Sequence, residues 1–427
     1  MSSGPRYKNY VLVILMLVYA SNYLDRSIVA VISPGIKADL GLSDTQLGML
    51  KGLAFAVFYS VFSLPVAWLA DRWHRVNIIA ISIALWSVFT TVAAFTTNFV
   101  QLLLLRIGVG IGEAGGVAPG HSLIADYFAP EERARALGFY MLGISLGDAV
   151  AFLIGGWVLQ EFGWRNVFLV IGIPGLILAA ILKLTVREPV RVADKIALSS
   201  NENAKETSET TFGFLEGFSQ MLRIPSYRLL IFATMCATFA ANSVAYWQVD
   251  YFARSFDLTF TEITVPMAVI SIITFGSGAY LGGVACDFFS VKTKAAYGFV
   301  PAAGIIPAAV FGPLFAFAPT PFWAFLSLAI LAFTFSFFYG PVLAGAQFLA
   351  PIRLRALASS ILVSSVMLVG VGLGPLVVGI ISDVIANRYG EVLSLKIALS
   401  LVAIPVLLAT VLYVLAGKAV ANHHGKS

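Results

Sequence analysis

Cysteine is nearly absent. Cys236 and Cys286 are the two in 427 residues, both inside apolar runs, so there is neither a disulfide framework nor a cysteine metal site, and they read as small packing residues. Charge is scarce too: 11% of residues are charged against 59% hydrophobic, and the mean hydropathy is +0.90. A chain with so little to offer water is solvated by lipid, which excludes a soluble globular protein. The formal charge of +5 comes without a basic patch interleaved with exposed aromatics, so nucleic-acid binding is not supported. No G-x-x-x-x-G-K-[ST] occurs, so no ATP site is expected. His74, His423 and His424 read as surface or tail residues without metal spacing, and no metal or other cofactor is expected.

Long apolar runs are what the chain does have. They reach roughly 20 residues, the length of a membrane-spanning helix and twice that of a barrel strand, so the fold class is all-α membrane protein. The opening "MSSGPRYKNYVLVILMLVYA" has the basic head of a signal peptide but no small-x-small cleavage site, and reads as an uncleaved first helix. Breaks at charges, prolines and polar clusters predict twelve spans, at about 9–32, 46–69, 77–95, 99–127, 134–159 and 166–184, then about 227–256, 262–287, 295–317, 322–349, 354–385 and 393–416. Ser43, with Gln46 three residues on, predicts a capped start for the second.

This divides the chain into a six-helix bundle at 1–184, a linker at 185–226 and a second bundle at 227–427. The linker's "SSNENAKETSET" is too polar to bury anything and reads as disordered. Its end puts Phe214, Leu215, Phe218, Met221 and Leu222 on one helical face, which fits either an interfacial helix or an ordinary lead-in to the seventh span. With both termini in the cytoplasm, most Lys and Arg fall on that side. Lys37, Arg165, Arg254, Arg388 and Lys396 are left opposite.

The halves echo each other. "FAPEERARALGFY" after the fourth span and "LAPIRLRALASS" after the tenth share Arg133/Arg353, Arg135/Arg355, Ala136/Ala356 and Leu137/Leu357. After the second and eighth spans, Ala67 stands four before Asp71 and Gly283 four before Asp287. Parallel six-helix repeats around a midplane site are a transporter architecture.

The loop "LADRWHR" resembles the signature of the major facilitator superfamily, with Asp71, Arg72 and Arg75 matched, Ala67 in place of the usual glycine and His74 in place of another. "RIGVGIGEAGG" and "DYFAPEERARA" extend the likeness along the chain. The resemblance implies two pseudo-symmetric six-helix bundles, with Asp71, Arg72, Arg75, Arg133 and Asp287 as gating residues at the cytoplasmic side. Within the superfamily, "NYLDR" with "RIGVGIGEAG" looks like the Spinster group, whose members move sphingolipid phosphates and lysophospholipids; the likeness is specific in Asp25, Arg26, Arg106 and Glu113.

A charge at bilayer depth costs roughly 2.5–3.5 kcal/mol on insertion scales, so such groups face a partner or a wet cavity. Arg106 and Glu113 lie two turns apart on one face, with Gly110 between them leaving room for substrate or a partner helix. The expectation is that Arg106 pairs with Asp25 or a substrate anion, and that Arg26 reaches Glu113. A buried carboxylate that loses its cation favours its neutral form, so Asp25 and Glu113 are candidate proton carriers. The alternative is a static cluster pinning two helices, a poor route to stability. Asn22, one turn before Arg26, lines the same surface or bonds a neighbouring helix. Asp148 follows Gly143 and Gly147, where the family pattern commonly has proline; it is a third proton site or a polar residue on a packing face.

The last six spans are expected to carry no charge away from their ends. They offer Asn242, Tyr246 and Trp247 in the seventh, and Phe333, Phe337, Phe338 and Tyr339 in the tenth, of which Tyr246, Trp247 and Phe337 are candidate substrate contacts beside Arg26, Arg106 and Asn22. An ionic wall facing an aromatic one suits an amphipathic anion; a sugar would need more hydroxyl-matching side chains. The sequence therefore predicts a proton-coupled secondary transporter of an amphipathic anionic lipid, working as a monomer in the lipid bilayer, with a bacterial plasma membrane as its expected home. The alternatives are a transporter of small organic anions or drugs, a homologue that signals without transport, and an acyltransferase, for which His121 five before Asp126 is a slight match lacking a nucleophile.

Overall fold

The computed structural model describes residues 5–70, 72–189, 214–351 and 354–424, and among them the secondary structure is helical throughout. The first six spans are Pro5–Leu40, Asp44–Ala70, Arg75–Ala93, Phe99–Tyr127, Pro130–Phe162 and Trp164–Thr185. Pro225–Ser255, Phe260–Ser290, Ala296–Ala316 and Pro321–Leu349 follow, and then an apolar stretch, Leu357–Ala421, of 65 residues. That stretch crosses twice. Ser382 and Ser394 are twelve apart, which in a straight helix would separate them by about 18 Å, yet their hydroxyls lie 3.3 Å from each other. The chain reverses at Gly390 (φ 77, ψ 163), in a conformation that L side chains disfavour. Gly163 (φ 80, ψ 165) makes the same reversal between the fifth and sixth spans, so the two halves close their last helix pair alike. Twelve crossings result.

The first span runs on from the expected end near residue 32 to Leu40, because Pro34 does not stop it. Proline removes the donor that would reach the carbonyl four residues back. Here the Ser33 hydroxyl donates to that Ala30 carbonyl at 2.9 Å instead. The helix ends at Gly41 (φ 62). Asp44 then opens the second span behind the expected box, in which the Ser43 hydroxyl accepts from the Gln46 amide and the Gln46 side chain accepts from the Ser43 amide. The Arg133 and Asp287 loops lie at the same end as Pro5, called proximal below, and Gly41, Gly163 and Gly390 at the distal end.

Glycines set how closely helices meet. A Cβ on Gly147 would come 2.3 Å from the Ala20 carbonyl oxygen, and one on Gly143 2.7 Å from that of Met16, so the first and fifth spans touch backbone to backbone. Between the halves, a Cβ on Gly52 would lie 2.1 Å from the Val371 oxygen and one on Gly379 2.2 Å from the Asp44 oxygen. Without a hydrophobic drive between helices in lipid, such close approach is the main source of packing energy. Both helices at this contact loosen into π turns, Met49–Leu53 and Val366–Leu373. The fourth span is irregular after Glu113, at 114–116, and the tenth breaks at Phe338, so each half carries a helix interrupted in mid-membrane.

Phe214–Arg223 is a helix of its own, divided from the seventh span by extended Ile224 and Pro225. Met221 is buried and Phe218 exposed, and Gly217 approaches Leu354 and Leu357 of the eleventh span. The expected disorder of the linker's middle falls on 190–213, outside the described residues. Gly147→Leu is expected to separate the first and fifth spans and to lower the thermal midpoint of the purified protein by several degrees or abolish its monodisperse yield; size-exclusion chromatography and a melt check it.

Candidate functional site

The first and fourth spans bring their four ionisable residues together as two crossed pairs. Arg26 Nε donates to Glu113 Oε2 at 2.7 Å, and Arg106 Nη1 lies 3.9 Å from Asp25 Oδ1 and donates to the Asp25 carbonyl at 3.3 Å. All four side chains are buried. Thr90 adds a hydrogen bond to Asp25 at 2.6 Å. Phe55 lies between the two cations, 4.9 Å from the Arg26 guanidinium and 6.0 Å from that of Arg106, and Tyr23 and Tyr59 complete an aromatic cage around Arg26. The space at Gly110 is taken by a partner helix: a Cβ there would lie 2.8 Å from the Phe55 oxygen. The pairs remain under-satisfied. Arg26 Nη2, Arg106 Nε, Glu113 Oε1 and both amide atoms of Asn22 are buried without a protein hydrogen-bond partner.

Arg26 also lines a cavity of about 320 Å³ between the halves. Tyr23, Ser27 and Asp148 continue its polar wall; the opposite one mixes Tyr246, Phe275, Phe335, Tyr339 and Met367 with the polar Asn242, Gln248, Ser271, Thr274 and Ser336. Tyr246 and Asp148 thus both line this cavity. Arg106 does not line this cavity, which favours its pairing with Asp25 over direct substrate contact. Two candidates lie elsewhere. Phe337 points away from the cavity, packing over Gly304 and beside Cys286 and Val300, because the helical face turned to the cavity is that of Leu328, Leu331, Ala332, Phe335, Ser336 and Tyr339. Trp247 is fully buried at the distal closure, its Nε1 donating to the Pro375 carbonyl at 2.8 Å.

The distal closure holds the charges that the sequence reading missed. Lys51 in the second span, wholly buried, donates to Asp250 of the seventh at 2.5 Å and lies 3.6 Å from the centre of the Trp247 ring. The last six spans thus do carry an interior charge. Asp250 also accepts from Ser33 at 2.6 Å. Around this core Arg254 grips both oxygens of Asp44 at 2.7 and 2.8 Å, Lys37 reaches Asp44 and Glu391, and the Asp383 carboxylate accepts from the amides of Asp44 and Thr45. These bonds join residues 5–189 to residues 214–424. A lysine in "GMLKGLAF" and an aspartate one turn before Arg254 were the available signals.

At the proximal end, Arg75 bonds Asp126 at 2.5 Å, Glu188 at 2.7 Å and Ser122 at 2.8 Å, all within the first half. Asp126 is thereby committed to Arg75, while His121 packs edge-on to Tyr140, so they form no catalytic pair. Arg72 stacks over Trp68, Arg133 donates to the Phe128 carbonyl, and the Asp287 side chain is exposed. Asp71 lies outside the described residues.

Residues 15–375 match the Major Facilitator Superfamily. The chain belongs to that family. It is 28% identical to an MFS-type efflux pump of Mycolicibacterium smegmatis over 97% of this chain and 93% of that one. To a probable galactarate/D-glucarate transporter of Bacillus subtilis it is 28% identical over 67% and 66% respectively. A crystal structure of a bacterial homologue to the human lysosomal transporter Spinster, inward-facing and unoccupied, superposes with a TM-score of 0.88 at 27% identity, covering 98% of both chains. The chain described here is thus a multi-pass membrane transporter of the Major Facilitator Superfamily.

Removing one partner of a buried pair leaves the other unanswered, at a cost of about 3–5 kcal/mol, whereas replacing both by apolar groups is often neutral. Lys51→Met is therefore expected to lower the thermal midpoint markedly and Lys51→Met/Asp250→Leu to recover much of it. A melt series on the two single variants and the double variant measures this.

Proposed function

We propose that the protein is a proton-coupled secondary transporter of an amphipathic anionic lipid, of the lysophospholipid or sphingolipid-phosphate kind. The observation that carries the reading is Arg26, paired with Glu113, on the wall of a cavity whose far side joins an aromatic and apolar surface to the polar Asn242, Gln248, Ser271, Thr274 and Ser336. Arg26 Nη2 is the donor for the substrate anion, and the wall from Phe275 to Met367 takes the chain. When the anion draws Arg26 off Glu113, the buried carboxylate loses its cation and takes up a proton. Asp25, tied to Arg106, is the second carrier in the same exchange, and Asn22 supplies a polar group beside it.

Access alternates by rocking residues 1–184 against 227–427 across the linker 185–226. The distal ion pairs open in one state, and the Asp71, Arg72, Arg75, Arg133 and Asp287 loops meet in the other. The distribution of Lys and Arg favours a cytoplasmic proximal end with both termini, in a bacterial plasma membrane, with the monomer as the working unit. A second reading, transport of small organic anions, draws on the galactarate/D-glucarate relative and uses the same Arg26. Competition by lysolipids against short-chain dicarboxylates separates the two.

In proteoliposomes, Glu113→Gln is expected to keep substrate binding but remove the acceleration of flux by an imposed pH difference; undiminished acceleration contradicts the assignment. Arg26→Gln is expected to weaken binding of a labelled lysolipid by at least about tenfold, since a hydrogen bond to a charged group contributes roughly 1.5–3 kcal/mol.

A further inference from the structure

Asp148 differs from the other interior acids. Asp25, Glu113 and Asp250 each have an arginine or lysine nitrogen within 4.0 Å. Asp148 has no such cation among the described residues; one oxygen accepts a short hydrogen bond from the Ser27 hydroxyl, and the side chain is partly exposed on the cavity wall. Its place is fixed by the glycine contact of the fifth span with the first. Gly143 and Gly147 press against Met16 and Ala20, and Gly155 against Ile28, so the next residue after Gly147 emerges at the lip of that contact, beside Ser27. A carboxylate held at bilayer depth calls for a compensating positive charge.

From this geometry we infer that Asp148 is the subsite for a cationic, ammonium-type group of the cargo, which makes the cargo an amphiphile bearing both charges. The inference rests on the reading of Arg26 as the anion site. Arg26 and Asp148 line one cavity of about 320 Å³, so a headgroup spanning both meets one charge of each sign. Tyr246, Tyr339 and Phe335 border the same space, and aromatic faces attract alkylammonium groups. A coupling proton fits Asp148 less well. Coupling needs the acid to change partners as the halves move, but its hydroxyl partner sits on the first span, which is joined to the fifth at backbone contact within the same half. Arg26 stands on the same joint but is bonded to Glu113 and lies beyond 4.0 Å from Asp148, so direct contact with Asp148 is left to a cation brought by the cargo.

The test uses the full-length protein in maltoside micelles and two probes with one chain length, O-dodecyl phosphoethanolamine and dodecyl phosphate, with Kd read by thermophoresis. The wild type is expected to prefer the phosphoethanolamine by about tenfold or more, the worth of one charge-assisted hydrogen bond. Asp148→Asn should bring the two affinities together, mainly by weakening the phosphoethanolamine, and Asp148→Glu should retain the preference. Equal binding of the two probes by the wild type overturns the inference while leaving the anion site standing, and so does a preference that survives in Asp148→Asn. Failure of both probes to bind overturns the inference and the anion site together.

Discussion

A charge removed from water has to be answered by another charge or by a hydrogen bond, and in lipid there is no third option. Much of this protein's interior is organised by that demand. The first span carries an acid and a base in sequence, and the fourth carries a base and an acid two turns apart; placed side by side they form two crossed pairs. Neither pair uses all its donors and acceptors, since Arg26 Nη2 and Glu113 Oε1 have no protein partner. A cluster assembled only to join helices would do better satisfied, because half-answered polar groups at low dielectric are costly. Incomplete pairing beside a cavity is what the proposed exchange of partners requires.

Glycine decides where that chemistry can sit. The contacts of Gly143 and Gly147 with the first span, and of Gly110 with Phe55, bring helix axes close enough for short side chains to meet. At the distal end Gly48, Gly52 and Gly379 let the second and eleventh spans approach until backbone atoms touch, which buries Lys51 and Asp250. The same residue type thus builds a joint within one half and a contact between halves. The latter involves two π segments, a form that is rare in helices and frequent at functional sites.

The fold and the crossed pairs were legible because each left a strong local mark. Apolar runs of spanning length give the crossings, and an ionisable residue inside such a run has few places to find a partner, so Asp25, Arg26, Arg106 and Glu113 stood out as one set. Depth put Asp25 level with Arg106, while Arg26 meets Glu113 although counting residues sets them at different depths. Lys51 left the same mark and was passed over. Asp250 lay too near its helix end to be distinguished from a surface charge. The aromatic wall was legible only in kind: Phe333, Phe335, Phe337, Phe338 and Tyr339 follow each other so densely that the sequence alone gives no direction, although the cavity face keeps a helical period through Leu331, Phe335 and Tyr339. Which rings face the cavity is a tertiary fact.

The start of the second span has two caps of different origin. Ser43 and Gln46 supply one from within the span's own chain, while the Asp383 carboxylate supplies another from the far half of the molecule. Unsatisfied amides at a helix start fray unless something accepts from them. In the proposed rocking motion the borrowed acceptor leaves and the inherent one stays, so the turn that Asp383 releases is not stripped bare. Separation then exchanges a carboxylate for water at an already folded terminus, and the distal rim can open and reseal without any helix having to unwind and form again.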